Sequence, residues 1–446
     1  MTEKLLQFIW QFQYFNKSEL TATTGESIQV LYAGQLNNNQ GPDFLDAKIK
    51  IANTTWAGTV ELHIKTSDWA KHNHQNDKNY TNVMLHVVWE DDGCRNSIPA
   101  YSTEQLSVLP GSRKSVRANS TEQRSVVPVL ELNGRVSKIL LQRYEELMNA
   151  GSFIPCEKTI HTVRDITWKS WKDRLLVERL LRKAQLIETY LKQNNYHWDE
   201  VCWWMLAKNF GLKVNAEPFE AMSKSVSLSL LTKHKNQIHQ VEAILLGQAG
   251  LLEGKFADDY PRMLQKEYKY YKNKYHLKPV NSPVFFLRMR PVNFPTIRLA
   301  QLAMLVNSSA HLFSSIKEAT NLNDIKGWFA VTANDYWHYH YRFDEISSFK
   351  KKILGAAMID TIIINTIAPL LFAYGHYQDE NKYKEKALKW LEKISAEHNN
   401  ITKGFQQLGV ENKNGFDSQA LIELKNEYCH KKRCLECAVG NSILKG

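Results

Sequence analysis

The first 133 residues alternate between apolar and polar positions in short runs that are typical of β-strands. In the last part of the run at residues 56–65, apolar side chains alternate with a carboxylate, an imidazole and an amine. The alternating sequence is Val60-Glu61-Leu62-His63-Ile64-Lys65. Since successive side chains of a strand point to opposite faces, Glu61, His63 and Lys65 share one face. Further strands are predicted at residues 27–33, 47–51 and 126–132, and residues 82–90, an apolar run that contains His86, predict a buried strand. A helical stripe over residues 3–15 is expected to pack on the sheet.

From Gly134 onward the apolar residues recur every three or four positions, which is the period of an amphipathic helix. The longest such stretch covers residues 166–191, whereas residues 96–124, with scattered Ser, Arg and Gly, are expected to form an irregular, mobile excursion. A chain of 446 residues also exceeds the roughly 250–300 residues that one core supports. The pattern therefore predicts an α+β protein, with a mixed α/β sheet domain at residues 1–133 and an all-helical domain at residues 134–446.

Charge is distributed unevenly over this basic chain, whose formal net charge is +11. Residues 1–150 contain 15 basic and 16 acidic side chains, so the remainder carries 42 basic against 30 acidic ones, a net +12. Such an asymmetry indicates a polyanionic partner, nucleic acid above all, held by the C-terminal part. A solvated basic surface without such a partner is the alternative interpretation.

Membrane insertion is not expected from the sequence. The N-terminus lacks the pattern of a signal peptide, and the most apolar later run, residues 356–374, is interrupted by Asp360, Asn365 and Pro369, which favours a buried helix. Six cysteines without a signal peptide are typical of a reducing cytoplasm, so disulfides are not expected.

Two carboxylates stand at the positions where a metal-dependent hydrolytic site would need them. Asp43 follows Gly41-Pro42 just before one predicted strand, and Glu61 lies on the next. This order of elements resembles the PD-(D/E)XK nuclease-like fold. The resemblance implies that Asp43 and Glu61 hold Mg²⁺ or Mn²⁺. It also implies that the residue two beyond the acid orients the attacking water; this residue is His63 instead of the usual Lys, and Lys65 on the same face is the other candidate.

Histidines offer a different metal site in the same region. His63, His72, His74 and His86 lie within 24 residues, and imidazoles bind Zn²⁺ or Mn²⁺ readily. His72 and His74 belong to a polar loop and are equally typical of solvated surface histidines. His86 lies between apolar neighbours, which favours a hydrogen-bonded core histidine.

Half of the cysteines are concentrated near the C-terminus. Cys429, Cys434 and Cys437 follow a C-x4-C-x2-C spacing, which predicts a structural zinc site or an iron–sulfur cluster. Cys156 is the first candidate for a fourth ligand and His430 is the second.

Several segments together resemble an uncharacterised bacterial family, the domain-of-unknown-function family numbered twenty-eight fifty-one. They are GPDF, VELH-x-K-x-SDW, NVMLHVVWEDD, RPVNFPTIRLAQLA and YCHKKRCLECAVGNSIL. The resemblance runs from Met1 to Lys445 and implies no particular reaction. The leading hypothesis is a cytoplasmic, metal-dependent nuclease-like protein that binds or cleaves nucleic acid. The alternatives are a non-catalytic scaffold that binds nucleic acid or protein, and a zinc-dependent hydrolase that uses His63, His72 and His74 on a small substrate.

Overall fold

The protein contains two compact units, one built on a mixed sheet and one built of helices. A computed structural model describes residues 1–94, 100–101, 107–108, 125–308 and 311–446. The first unit comprises residues 1–168 together with residues 427–446, and the second comprises residues 169–426. The predicted α+β class, a sheet region followed by a large helical region, is confirmed. The predicted boundary at residue 133 lies inside the first unit, which continues to residue 168 and also includes the last twenty residues.

The sheet of the first unit has the spatial order β1-β3-β4-β5-β9. Strand β4 pairs antiparallel with β3 and parallel with β5, and β5 pairs parallel with β9. The strands are β1 (Ile28–Tyr32), β2 (Gln35–Leu36), β3 (Phe44–Ile51), β4 (Thr54–Lys65), β5 (Val83–Glu90), β6 (Ala100–Tyr101), β7 (Ser107–Val108), β8 (Ser125–Val126) and β9 (Val129–Glu131). Strand β2 pairs with β3, β7 pairs with β4, and β6 pairs with β8 in a separate ribbon. Most of the excursion predicted at residues 96–124 lies outside the described residues.

The first helix of the unit, α1 (Glu3–Gln11), packs against the sheet as its apolar stripe predicts. Its buried side chains include Trp10, whose Nε1 donates a hydrogen bond to the carbonyl oxygen of Ala33 at 3.0 Å. The adjacent Gly34 has a φ of +96°, and a Cβ added there would lie 2.7 Å from the carbonyl oxygen of Leu45. Glycine is therefore required where the chain turns under α1.

The connection between β4 and β5 determines where functional side chains can lie. Two parallel strands need a crossover, because a tight hairpin reverses the chain direction. Residues 66–82 supply it through the short helix α2 (Asp68–Lys71) and two 3₁₀ turns, His74–Asn76 and Lys78–Tyr80. The crossover leaves the end of β4 and returns to the start of β5, so it covers one face of the sheet beside Glu61 and His63.

The remaining helices belong to the C-terminal part of the first unit or to the second unit. In the first unit they are α3 (Lys138–Asn149), the start of α4 (Asp165–Gln193) and α18 (Ala438–Lys445). The second unit continues α4 and adds α5 (Trp198–Phe210), α6 (Ala216–Ser225), α7 (Leu228–Lys233), α8 (Ile238–Gln248), α9 (Asp259–Lys274), α10 (Pro295–Ser308), α11 (Leu312–Glu318), α12 (Leu322–Trp328), α13 (Ala356–Ile362), α14 (Ala368–Tyr377), α15 (Asn381–Glu392), α16 (Asn400–Gln407) and α17 (Gly415–Glu423).

Helices α13 and α14 run together through a π-helical turn at Ile363–Ile367. Within the described residues this combined helix, Ala356–Tyr377, is the one whose length and apolar composition are sufficient to cross a membrane. About three quarters of its most apolar stretch is buried inside the structure.

Candidate metal centre

Three polar side chains are buried at the centre of the sheet, where an apolar core would ordinarily exclude them. Glu61 and His63 lie on one face of β4, and His86 lies opposite Glu61 on β5. Their exposed fractions are 5%, 1% and 0%. Burying such groups costs free energy unless they are hydrogen-bonded, paired or bound to a metal. Their position therefore indicates a built site.

The crossover brings two further histidines onto the same face. Trp69 of α2 is fully buried and makes edge-to-face contacts with His63 and His86, which anchors the crossover against the sheet. His74 stacks on Tyr80 with ring centroids 3.8 Å apart. These contacts hold the crossover across the site.

The ligand-type atoms of these residues converge. The Nε2 atom of His63 lies 3.1 Å from Nδ1 of His72 and 3.4 Å from Oε1 of Glu61, and Nε2 of His74 lies 3.3 Å from the same Glu61 oxygen. One nitrogen from each of the three imidazoles falls within 4.8 Å of the others. In a tetrahedral zinc site with bonds of about 2.0–2.1 Å, the ligand atoms lie about 3.3–3.4 Å apart. The three short separations match that spacing.

Asp43, immediately before β3, is joined to β4 by two hydrogen bonds from backbone N–H groups to side-chain carboxylates. The N–H of Asp43 donates to Oε2 of Glu61, and the N–H of Leu62 donates to Oδ2 of Asp43, both at 3.0 Å. The side-chain amide of Gln7, on α1, donates to Oδ1 of Asp43 at 2.8 Å. The two predicted carboxylates are therefore neighbours, and each keeps lone pairs available for a cation.

Burial is the main influence on the protonation of the carboxylates and imidazoles at this site. Burial and the nearby charge of Glu61 raise the pKa of Asp43, and burial also raises the pKa of Glu61. Burial lowers the pKa of His63 to about 2, helped by the surrounding histidines, and lowers the pKa of His86 to about 3. The imidazoles of His63 and His86 are thus neutral, and the neutral form is the one that binds metal ions.

His86 supports His63 from behind. Its Nε2 lies 2.9 Å from Nδ1 of His63, on the side of the ring away from Glu61. If Nε2 of His63 binds a cation, Nδ1 of His63 carries the ring proton and donates a hydrogen bond to Nε2 of His86. A hydrogen-bond acceptor of this kind is usual behind a metal-binding histidine. The sequence favours a hydrogen-bonded core histidine at this position. His86 is fully buried and makes this bond, while its Nδ1 has no hydrogen-bond partner among the described residues.

The remaining predicted residues lie elsewhere in the first unit. Lys65 is at the exposed end of β4, where its backbone N–H donates to Asp68 at 2.9 Å. Cys156 follows α3, and the other three predicted cysteine ligands lie in the C-terminal segment that returns to this unit.

Gln7, Trp69 and Tyr80 belong to the site but do not appear among the predicted site residues. Each acts through a contact with a residue that is distant in sequence or on another element, and no local pattern signals such a contact. The motif SDW, which places Trp69 at the start of the crossover, is the closest thing to a signal for it.

Comparison with known proteins places the chain in a family without assigning a reaction. No curated protein and no solved structure matches it. The family model described as "Protein of unknown function (DUF2851)" matches residues 3–400. This range includes every residue of the histidine–carboxylate site, which consists of Asp43, Glu61, His63, His72, His74 and His86. The chain therefore belongs to the family of proteins of unknown function DUF2851.

Proposed function

We propose that the protein is a metal-dependent hydrolase that cleaves phosphodiester bonds in nucleic acid. The observation that carries the proposal is the convergence of Glu61, His63, His72 and His74, whose ligand-type atoms have the spacing of a metal coordination sphere. Burying a carboxylate beside several imidazoles at the centre of a sheet costs free energy, so this combination is not expected in a purely structural core. His72 is exposed, so the centre is open to a substrate on that side.

The residues of the site would have separate roles in binding the cation and the substrate. Glu61 and the three imidazoles would hold the cation, and Asp43 would supply a second carboxylate beside Glu61. A bound cation would lower the pKa of a water ligand and polarise the phosphoryl oxygen. Burial raises the pKa of Glu61, and coordination to the cation would hold its carboxylate in the ionised form, while Gln7 fixes the orientation of Asp43.

The PD-(D/E)XK resemblance supports the proposal in part and also requires a change of role. That resemblance rests on Asp43, immediately before β3, and on Glu61 of the neighbouring strand β4. The usual Lys contributes a positive charge, whereas His63 is neutral because burial depresses its pKa to about 2. We therefore assign His63 as a cation ligand instead of a residue that orients water.

The donor set also favours particular metals. Mg²⁺ prefers oxygen ligands and retains several waters, whereas imidazole suits Zn²⁺ and related transition metals. Three imidazoles and one carboxylate therefore favour Zn²⁺ or Mn²⁺ over Mg²⁺. The same donor set keeps a second candidate open, a zinc-dependent hydrolase of a small substrate. Nucleic acid is the substrate that we favour, because residues 151–446 carry a net charge of +12.

The proposal is tested with the full-length protein on labelled single-stranded and double-stranded DNA and RNA, with Mn²⁺, Zn²⁺ or Mg²⁺ and with a chelator. We expect cleavage that the chelator abolishes and that is strongest with Mn²⁺ or Zn²⁺. Glu61→Gln should lower the rate at least about a hundredfold, since it removes a charged ligand. Glu90→Gln is the matched control, because Glu90 lies at the exposed end of the neighbouring strand.

The outcomes separate the candidate functions. Hydrolysis of a small phosphodiester such as bis-p-nitrophenyl phosphate, without cleavage of any nucleic acid, would favour the small-substrate hydrolase. Binding of nucleic acid without turnover by the metal-loaded protein would favour the scaffold. Equal rates for the wild type and Glu61→Gln would reject this site as the catalytic centre.

A further inference from the structure

A second group of ligand-type side chains lies in the same unit, outside the histidine–carboxylate site. Its members are Cys156 and the C-terminal Cys429, Cys434 and Cys437. The family model ends at residue 400, so the three C-terminal cysteines lie beyond the match that identifies the family. Nothing in the proposed hydrolysis uses them.

The C-terminal segment is fastened to the first unit by specific contacts. Arg143 of α3 donates a hydrogen bond to the carbonyl oxygen of Ile443 at 3.1 Å, and the Tyr14 hydroxyl donates to Asn441 at 2.9 Å. The Lys432 ammonium donates to the carbonyl oxygen of Met148 at the end of α3. Helix α18 also packs against the 3₁₀ turn Ile160–Thr162. The end of the chain is thus held beside the segment that contains Cys156.

Two of the cysteines form one tight turn. The N–H of Cys437 donates to the carbonyl oxygen of Cys434 at 3.3 Å across the 3₁₀ turn Cys434–Glu436, and Cys437 is the N-cap of α18. A two-residue separation of this kind is the usual spacing of paired cysteine ligands. Gly440 closes against this turn so tightly that an added Cβ would lie 2.2 Å from the Cys434 carbonyl oxygen.

Cys156 belongs to a second turn, between α3 and the 3₁₀ turn Ile160–Thr162 against which α18 packs. The N–H of Thr159 donates to its carbonyl oxygen at 3.0 Å. Cys156, Cys434 and Cys437 are all buried, with exposed fractions of 8%, 7% and 6%. The thiols of Cys437 and Cys434 are the ionisable neighbours of the Cys156 thiol. Three buried thiols from two distant parts of the chain therefore lie near one another.

Cys429 is the first cysteine of the C-terminal spacing. It ends the π-helical turn Leu424–Cys429, is half-buried, and its carbonyl oxygen accepts a hydrogen bond from the N–H of Lys432 at 3.2 Å. Lys432 has a φ of +50°, so the chain reverses between Cys429 and Cys434. Cys429 is thus separated from the other two C-terminal cysteines by a single turn of the chain.

We propose that Cys156, Cys429, Cys434 and Cys437 together bind one thiophilic metal centre, which fastens the C-terminal segment to the first unit. Four thiolates are the ligand set of a structural Zn²⁺ ion and of an iron–sulfur cluster. Buried thiols gain little from ionising alone, whereas coordination stabilises their thiolates and releases their protons. The centre would close the long chain loop between Cys156 and Cys429, which contains the whole second unit.

The test uses full-length protein that is purified without oxygen and carries Glu61→Gln and His74→Ala, so that metal at the histidine site does not contribute. Elemental analysis should find about one zinc per chain, or about four irons with broad visible absorbance if the centre is a [4Fe–4S] cluster. Adding Cys156→Ala or Cys434→Ala should reduce that metal content at least about tenfold. Cys202→Ala is the matched control, because Cys202 is a buried cysteine of the second unit.

A second measurement does not depend on the variants folding. Co²⁺ added to metal-free protein with intact cysteines should produce thiolate-to-cobalt charge-transfer bands, which histidine and carboxylate ligands do not produce. Absence of these bands together with absence of zinc and iron would overturn the proposal. A metal content unchanged by Cys156→Ala would also overturn it. Either result would leave the proposed hydrolase untouched, because Glu61 and the histidines are a separate ligand set.

Discussion

His86→Leu tests whether the histidine–carboxylate site binds a metal, without altering any proposed ligand. Leucine has nearly the volume of histidine and suits the buried face of β5. The substitution removes the partner of Nδ1 on His63, which lies 2.9 Å from His86. Loss of a hydrogen-bond partner behind a metal-binding histidine typically weakens metal binding about 10–100-fold, or about 1.4–2.7 kcal/mol. We expect a decrease of that size.

The folding stability of the metal-free protein should change much less. Leaving Nδ1 of His63 buried without a partner costs about 1–3 kcal/mol. The imidazole of His86 has its own buried Nδ1 without a hydrogen-bond partner among the described residues. Removing this imidazole therefore stabilises the folded state by a similar free energy. Because the two effects oppose each other, we expect the free energy of unfolding to change by less than about 1.5 kcal/mol.

Val88→Ala is the control with the opposite expectation. Val88 is fully buried and lies beside His63 in the strand register, but its side chain has no polar group. Its truncation should lower the free energy of unfolding by about 2 kcal/mol and leave metal affinity unchanged within error.

Titration with Mn²⁺, followed through the electron paramagnetic resonance of the free ion, measures the affinity at a site that thiolates do not favour. If His86→Leu binds Mn²⁺ as tightly as the wild type, the hydrogen bond between His63 and His86 does not contribute to metal binding, and the assignment of His63 as a ligand is rejected. If Val88→Ala loses as much affinity as His86→Leu, the loss reflects general disruption of the sheet.

Three other outcomes are expected. Trp69→Ala should lower the free energy of unfolding of the first unit by about 3–5 kcal/mol, because it empties a fully buried position under the crossover; chemical denaturation measures it, and a loss below about 1 kcal/mol would show that Trp69 does not anchor the crossover. Gly34→Ala should destabilise the same unit by at least about 1 kcal/mol, since the position combines a positive φ with a close carbonyl; an unchanged melting temperature would contradict this. In the second unit, burial raises the pKa of Glu242 from 4.5 to about 7. The folded state then binds the proton more tightly, so this contribution to stability is fully present below about pH 4.5 and is lost as the pH rises through 7, with a slope of up to about 1.4 kcal/mol per pH unit. Glu242→Gln should flatten that part of the stability profile, and an unaltered slope would mean that Glu242 is ionised throughout.

Local pattern determined much of the fold. The alternation of apolar and polar residues predicted β4, and the apolar run around His86 predicted β5, because a strand places successive side chains on opposite faces and a central strand is buried on both. The same period is sufficient to place Glu61 and His63 on one face of β4. The three-to-four-residue period after Gly134 likewise predicted helices, and the cysteine spacing near residue 430 identified a second group of ligand-type side chains.

Only the tertiary structure decided which of these residues meet. The polar residues around His72 and His74 are equally typical of a solvated loop, and only the burial of Trp69 against the sheet turns that loop over Glu61 and His63. Pairing of β4 with β5 sets His86 behind His63, although each strand alone shows only an isolated histidine. The return of residues 427–446 to the first unit is equally invisible to local pattern. Contacts between positions far apart in sequence depend on packing and chain topology, and neither leaves a periodic signal in the residues that finally touch.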